Sequence, residues 1–173
     1  MIPIWRRVGF GIIAAMTSCL SLAHGEHGPI DPNIRVENPI EAVGTPYGRM
    51  GSSREIKGTL DIDLADGMRL LPARVSLTQG ETIRIRIRNS SREVHVFMLG
   101  TVESIAERAA YMAAGSGAVA DSMSSRRILP GQTAELIWEF TTPGVFGIAC
   151  LMPGHAEAGM RGELTVESKA ASP

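Results

Sequence analysis

The sequence predicts an all-β Greek-key fold, a sandwich or barrel of about seven or eight short strands with one short helix. Three observations carry this. Seven short segments between Thr59 and Glu167 alternate in polarity or are rich in β-branched residues. Turn-forming pairs separate many of them, at Gln79-Gly80, Asn89-Ser90, Pro130-Gly131 and Pro143-Gly144. Only Val102–Ala114 departs from strand spacing in favour of helical spacing.

Taken in order, residues 1–23 read as a secretory signal peptide. Arg6 and Arg7 supply the positive n-region, Val8–Leu22 the apolar h-region, and Ser21-Leu22-Ala23 the small residues of a cleavage site after Ala23. The apolar run is short for a membrane anchor. The stretch around Cys19 matches a lipidation signal poorly. Residues 24–56 carry Pro29, Pro32, Pro39 and Pro46 and are expected to run extended along the domain edge.

The folded domain is expected at 57–168, with 169–173 as a tail. Its strands are Thr59–Leu64, Arg74–Leu77, Glu81–Arg88, Glu93–Leu99, Ala134–Phe140, Val145–Cys150 and Gly162–Glu167. Glu81–Arg88 is the clearest, with Ile83, Ile85 and Ile87 on one face and Arg84, Arg86 and Arg88 on the other. The arginines read as a solvated face. The helix places Ile105, Ala109 and Met112 on one stripe and ends at Gly115-Ser116-Gly117.

Composition narrows the function. A net charge of −1 gives no electrostatic case for nucleic acid. Two cysteines and four histidines exclude a disulfide scaffold and a four-cysteine zinc site. Cleavage after Ala23 removes Cys19, leaving Cys150 as a lone thiol in an oxidising compartment. A metal is one explanation for a thiol kept there.

The chemistry-bearing residues support that explanation. The C-terminal part reads Cys150-Leu-Met-Pro-Gly-His155-Ala-Glu-Ala-Gly-Met160, and His95 lies in the upstream segment Val94-His95-Val96-Phe97. Each residue alone has an ordinary reading: a buried cysteine is a small hydrophobe, a strand histidine a core residue, Met160 a filler. Cysteine–histidine pairs also serve nucleophilic catalysis. Together, two imidazoles, one thiolate and one thioether are the ligand set of a blue-copper site. Four protein ligands leave no open position for a substrate, so an electron carrier is expected rather than an enzyme; slow cuprous oxidation is the residual catalytic reading.

The segment Gly144–Val166 resembles the C-terminal half of a cupredoxin, with a ligand loop similar to those of rusticyanin and auracyanin. Asp66-Gly-Met68-Arg-Leu-Leu-Pro72, Gln79-Gly-Glu81-Thr, Val94–Thr101 and Pro130–Trp138 extend the resemblance to bacterial periplasmic cupredoxins linked to copper tolerance. That resemblance implies an eight-stranded cupredoxin sandwich holding one type 1 copper, Cu(I) or Cu(II), through His95, Cys150, His155 and Met160. With the signal peptide cleaved after Ala23, a periplasmic protein with no stable membrane insertion is expected. The resemblance also implies an apolar rim at Leu151, Met152 and Pro153 against which a redox partner docks transiently.

Two departures bear on the role. Val96 stands where the tolerance proteins often have glutamate. The insertion Tyr111–Arg127 keeps Met112 and Met123 but has no histidine, which argues against a second copper site there. His24 and His27, beside the new N-terminus, are a candidate weak second copper site. Copper tolerance through one-electron transfer is the leading expectation. The alternatives are a dedicated respiratory carrier, a sequestering protein that also uses the N-terminal histidines, and an interaction domain that has lost its metal.

Overall fold

A computed structural model describes residues 44–115 and 121–170. The expected signal peptide, its cleavage after Ala23, Cys19, and the candidate ligands His24 and His27 all lie outside the described residues.

Two five-stranded sheets face each other. In chain order the elements are β1 (Arg49–Met50), β2 (Ile56–Ala65), β3 (Arg69–Leu71), β4 (Arg74–Thr78), β5 (Thr82–Asn89), β6 (His95–Gly100), α1 (Val102–Ala113), β7 (Ser125–Ile128), β8 (Thr133–Glu139), β9 (Gly144–Cys150) and β10 (Arg161–Glu167). One sheet has the order β1-β8-β5-β2-β3, the other β4-β10-β9-β6-β7. The all-β sandwich with one short helix is therefore the fold observed.

Alternation builds the core. Ile83, Ile85 and Ile87 of β5 point inward and meet Phe97, Leu99, Ile148 and Leu164 from the opposite sheet. Trp138 of β8 is fully buried, stacks on Tyr47 at 5.4 Å between ring centroids, and donates its indole N–H to the Tyr47 carbonyl. Fully burying one such side chain stabilises the fold by about 1.5–3 kcal/mol. On the outer face of β5, Arg86 forms a two-point pair with Asp61 of β2 at 2.6 and 2.8 Å. Arg84 lies 3.7 Å from Glu135. This is the solvated charged ladder that the alternation predicts, and such exposed pairs contribute little to stability.

β6 differs from its neighbours because all six of its residues are buried. His95, Phe97 and Leu99 face the sandwich core, and α1 covers the other side. Thr101 caps the helix by accepting the Ser104 N–H. Ile105, Ala109 and Met112 then lie against Val96, Met98 and Leu151. Cross-strand Gly100 and Gly147 make the sheet thin where the helix lands: a Cβ on Gly147 would sit 2.7 Å from the Ile105 Cδ1.

Three strands were absent from the sequence expectation. β1 and β3 are two and three residues long, and β7 is a four-residue edge strand containing Arg126 and Arg127. All are too short for a periodic signal. β6 begins at His95 rather than Glu93, because the Glu93 carbonyl is taken by the Asn89 side-chain amide.

Gly48 has φ +130°, and a Cβ there would lie 2.1 Å from the Glu139 carbonyl oxygen. Gly48→Ala is expected to cost about 1–3 kcal/mol in urea unfolding. Gly58→Ala, whose nearest neighbour would be Ile83 Cδ1 at 3.5 Å, is expected to stay within about 0.5 kcal/mol of wild type.

Candidate metal centre

The centre is assembled at one end of the second sheet. His95 opens β6 and Cys150 closes β9, and the two strands are adjacent and antiparallel with Phe97 opposite Cys150. The ladder continues one step past the strand, where the Leu151 N–H donates to the Val96 carbonyl at 2.8 Å. Beyond it the chain turns back: His155 N–H donates to Met152 C=O, and Gly154 sits at φ +82°. A second turn, with Gly159 at φ +113°, brings Met160 back to the sheet. Met160 is fully buried. Its N–H donates to His155 C=O, and its C=O accepts from Cys150 N–H, both at 2.9 Å.

These turns bring three donor atoms together. Cys150 Sγ lies 3.6 Å from His95 Nδ1 and 3.6 Å from His155 Nδ1, and the two nitrogens are 3.3 Å apart. The point equidistant from the three atoms is about 2.0 Å from each, the length of a metal–imidazole bond. One thiolate and two imidazoles around a point at bonding distance fit a copper ion by geometry and by donor chemistry. His95 and Cys150 are each 1% exposed, and His155 is half-buried at the surface.

Burial sets the electrostatics of the metal-free centre. It lowers the His95 pKa from the ordinary 6.5, and nearby His155 lowers it further; Glu93 and Asp66 oppose the shift. Burial also raises the Cys150 thiol above its ordinary 9.0, against opposing backbone contributions from Met152 and Val96. The protein thus favours neutral groups here until a cation compensates the thiolate.

The structure brings the donor atoms of His95, Cys150 and His155 together, and main-chain hydrogen bonds tie Met160 to His155 and Cys150. Leu151 differs from expectation. It was expected on an apolar rim, yet it is 1% exposed and packs beneath α1 with Val96 and Met98. The accessible apolar edge beside His155 is Met152 and Pro153. Sequence reasoning missed the residues behind the histidines. Ser91 Oγ lies 2.7 Å from His95 Nε2, and the Glu93 carboxylate lies 3.5 Å from His155 Nε2. The local sequence at Asn89-Ser90 signals only a turn.

Comparison with known proteins agrees with this geometry. Residues 83–173 match the model of the sulfocyanin (SoxE) domain. The chain belongs to the sulfocyanin (SoxE) family of cupredoxins. This cupredoxin is 38% identical over 122 residues to the copper-resistant cuproprotein CopI of Rubrivivax gelatinosus, covering 70% of this chain and 74% of that protein. It is 32% identical over 156 residues to CopI of Vibrio cholerae, covering 86% and 92%. In fold it is similar to auracyanin A, a "blue" copper protein from Chloroflexus aurantiacus: the TM-score is 0.54 at 22% identity, over 63% of this chain and 98% of that one.

The two displaced pKa values define a stability profile for the metal-free protein. A lowered histidine pKa means that the unfolded chain binds more protons as pH falls through 6.5, so stability drops in acid. A raised thiol pKa means that the unfolded chain loses its proton first above 9.0, so stability drops in base. Thermal unfolding of the metal-free protein is expected to show a plateau between these limits, and His95→Gln is expected to flatten the acid arm.

Proposed function

We propose that this cupredoxin is an exported small blue-copper protein that binds one copper through His95, Cys150, His155 and Met160 and passes single electrons in copper tolerance. The single observation that carries the reading is the triangle of Cys150 Sγ, His95 Nδ1 and His155 Nδ1, sized for one ion. Support for the physiological role comes from the curated relatives, which are named copper-resistant cuproproteins. Export rests on the reading of residues 1–23. Among the described residues, no helix is long and apolar enough to cross a membrane.

Bound copper supplies one-electron chemistry between Cu(I) and Cu(II). The chain's own residues supply the rest. Cys150 and Met160 provide soft sulfur, and His95 and His155 provide nitrogen that serves both oxidation states. Because β6, β9 and the two turns fix the donors beforehand, little rearrangement accompanies a change of charge. The fully buried Phe97 and Met160 keep water away from the sulfur. His155 is the ligand nearest solvent, so its ring is the route by which an electron leaves, with Met152 and Pro153 forming the edge a redox partner meets. A transient contact of this kind needs only a small interface. Four donors leave no coordination position for a substrate, which favours a carrier over an enzyme.

Titration of the full-length protein with Cu(II), followed by visible absorption and EPR, is expected to give an intense blue band that saturates at one equivalent. The band is expected to vanish in Cys150→Ala. Binding of several equivalents that survives Cys150→Ala would instead indicate a sequestering protein with its ligands elsewhere, His24 and His27 first. A deletion strain is expected to grow normally at low copper and poorly at elevated copper. A respiratory defect without copper sensitivity would overturn the tolerance role.

A further inference from the structure

We infer that Asn89 and Ser91 form a positioning relay that locks His95 in the tautomer with its proton on Nε2, leaving Nδ1 bare toward Cys150. This rests on the copper reading of His95, but the relay is fixed by the protein alone.

The available protons decide the tautomer. Asn89 is fully buried at the end of β5. Its Nδ2 lies 2.7 Å from the Glu93 carbonyl and 3.0 Å from the Ile128 carbonyl, so both amide hydrogens are donated and the orientation of the group is decided. Asn89 Oδ1 is therefore a pure acceptor. It receives the Ser91 N–H at 3.0 Å and lies 2.8 Å from Ser91 Oγ. Two oxygens at that distance need a hydrogen between them. The amide oxygen has none, so the hydrogen is the single proton of Ser91. The Glu93 carbonyl is the more distant acceptor at 3.4 Å, so the proton points at Asn89 Oδ1 and Ser91 Oγ accepts from the Glu93 N–H at 3.2 Å and from His95 Nε2 at 2.7 Å. The His95 proton must then be on Nε2.

The consequence for the centre is direct. His95 Nδ1 faces Cys150 Sγ and His155 Nδ1 with its lone pair available. A metal-binding histidine commonly donates its other N–H to an outer partner, which fixes the ring and raises its basicity. Here the partner is a hydroxyl whose own direction is dictated by a buried amide. The same amide holds the Glu93 carbonyl, and so the loop whose carboxylate reaches His155 Nε2. Ser91 and Asn89 touch no donor atom facing the ion, so they are positioning residues rather than ligands.

The test begins with the metal-free full-length protein. Long-range proton–nitrogen NMR with labelled histidine is expected to show His95 as a single Nε2–H tautomer. Ser91→Ala is expected to lose that single tautomer and to weaken Cu(II) binding about 10- to 100-fold. Ser91→Thr, which keeps the hydroxyl, is expected to restore both. His95 found protonated on Nδ1 in the wild type would overturn the relay, and this outcome needs no variant to fold. Wild-type tautomer and affinity in a folded Ser91→Ala would overturn it equally. The wild-type copper titration separates the two levels. A wild type with the Nε2–H tautomer but no blue band supports the relay and overturns the copper reading.

Discussion

The antiparallel ladder between β6 and β9 is the constraint on which the metal centre depends. Its register puts Phe97 opposite Cys150, and so sets His95 and Cys150 on the same inward face two residues out of step. A slip of one residue would turn either donor away from the other. The register is held from both sides. The core face carries Phe97, Leu99 and Ile148, all fully buried, and the outer face carries Val96 and Met98 under α1. The helix in the insertion therefore serves the centre without contributing a ligand: it seals the outside of the strand that presents His95.

A rigid cage of polar donors inside an apolar core is costly to build. A buried donor or acceptor without a partner costs about 1–3 kcal/mol. The chain limits that cost by giving the His95 ring a partner at its far nitrogen and by leaving His155 partly exposed. Burial biases His95 and Cys150 toward their neutral forms in the absence of metal. A cation relieves the thiolate's share of that bias, which is how the same packing that excludes water also favours occupation by a soft ion. The exposed charged ladder on β5 stands on the opposite sheet and takes no part.

The fold class and the grouping of His95, Cys150 and His155 were legible in the sequence, for different reasons. The strands showed because period-2 alternation is a local signal, as in the three isoleucines of β5. The ligands showed because a cysteine, a histidine five positions on and a methionine five beyond that lie in one short loop. What stayed hidden was non-local. Asn89 read only as part of a turn and Ser91 carried no signal, since their partners Ile128 and His95 are fixed only by strand pairing. Glu93 read as strand because nothing in the local pattern shows its carbonyl captured by an amide. Leu151 read as rim because the sequence does not show α1 closing over it. β1, β3 and β7 were too short to carry a period at all.

Before any ion arrives, the protein has already placed one sulfur and two imidazole nitrogens around a single point. X-ray absorption at the copper edge, on the protein loaded in turn with Cu(I) and Cu(II), tests this most directly. The account predicts a shell of one short sulfur and two imidazole nitrogens that is nearly unchanged between the two oxidation states. A shell without a short sulfur, or one that loses an imidazole on reduction, would contradict it.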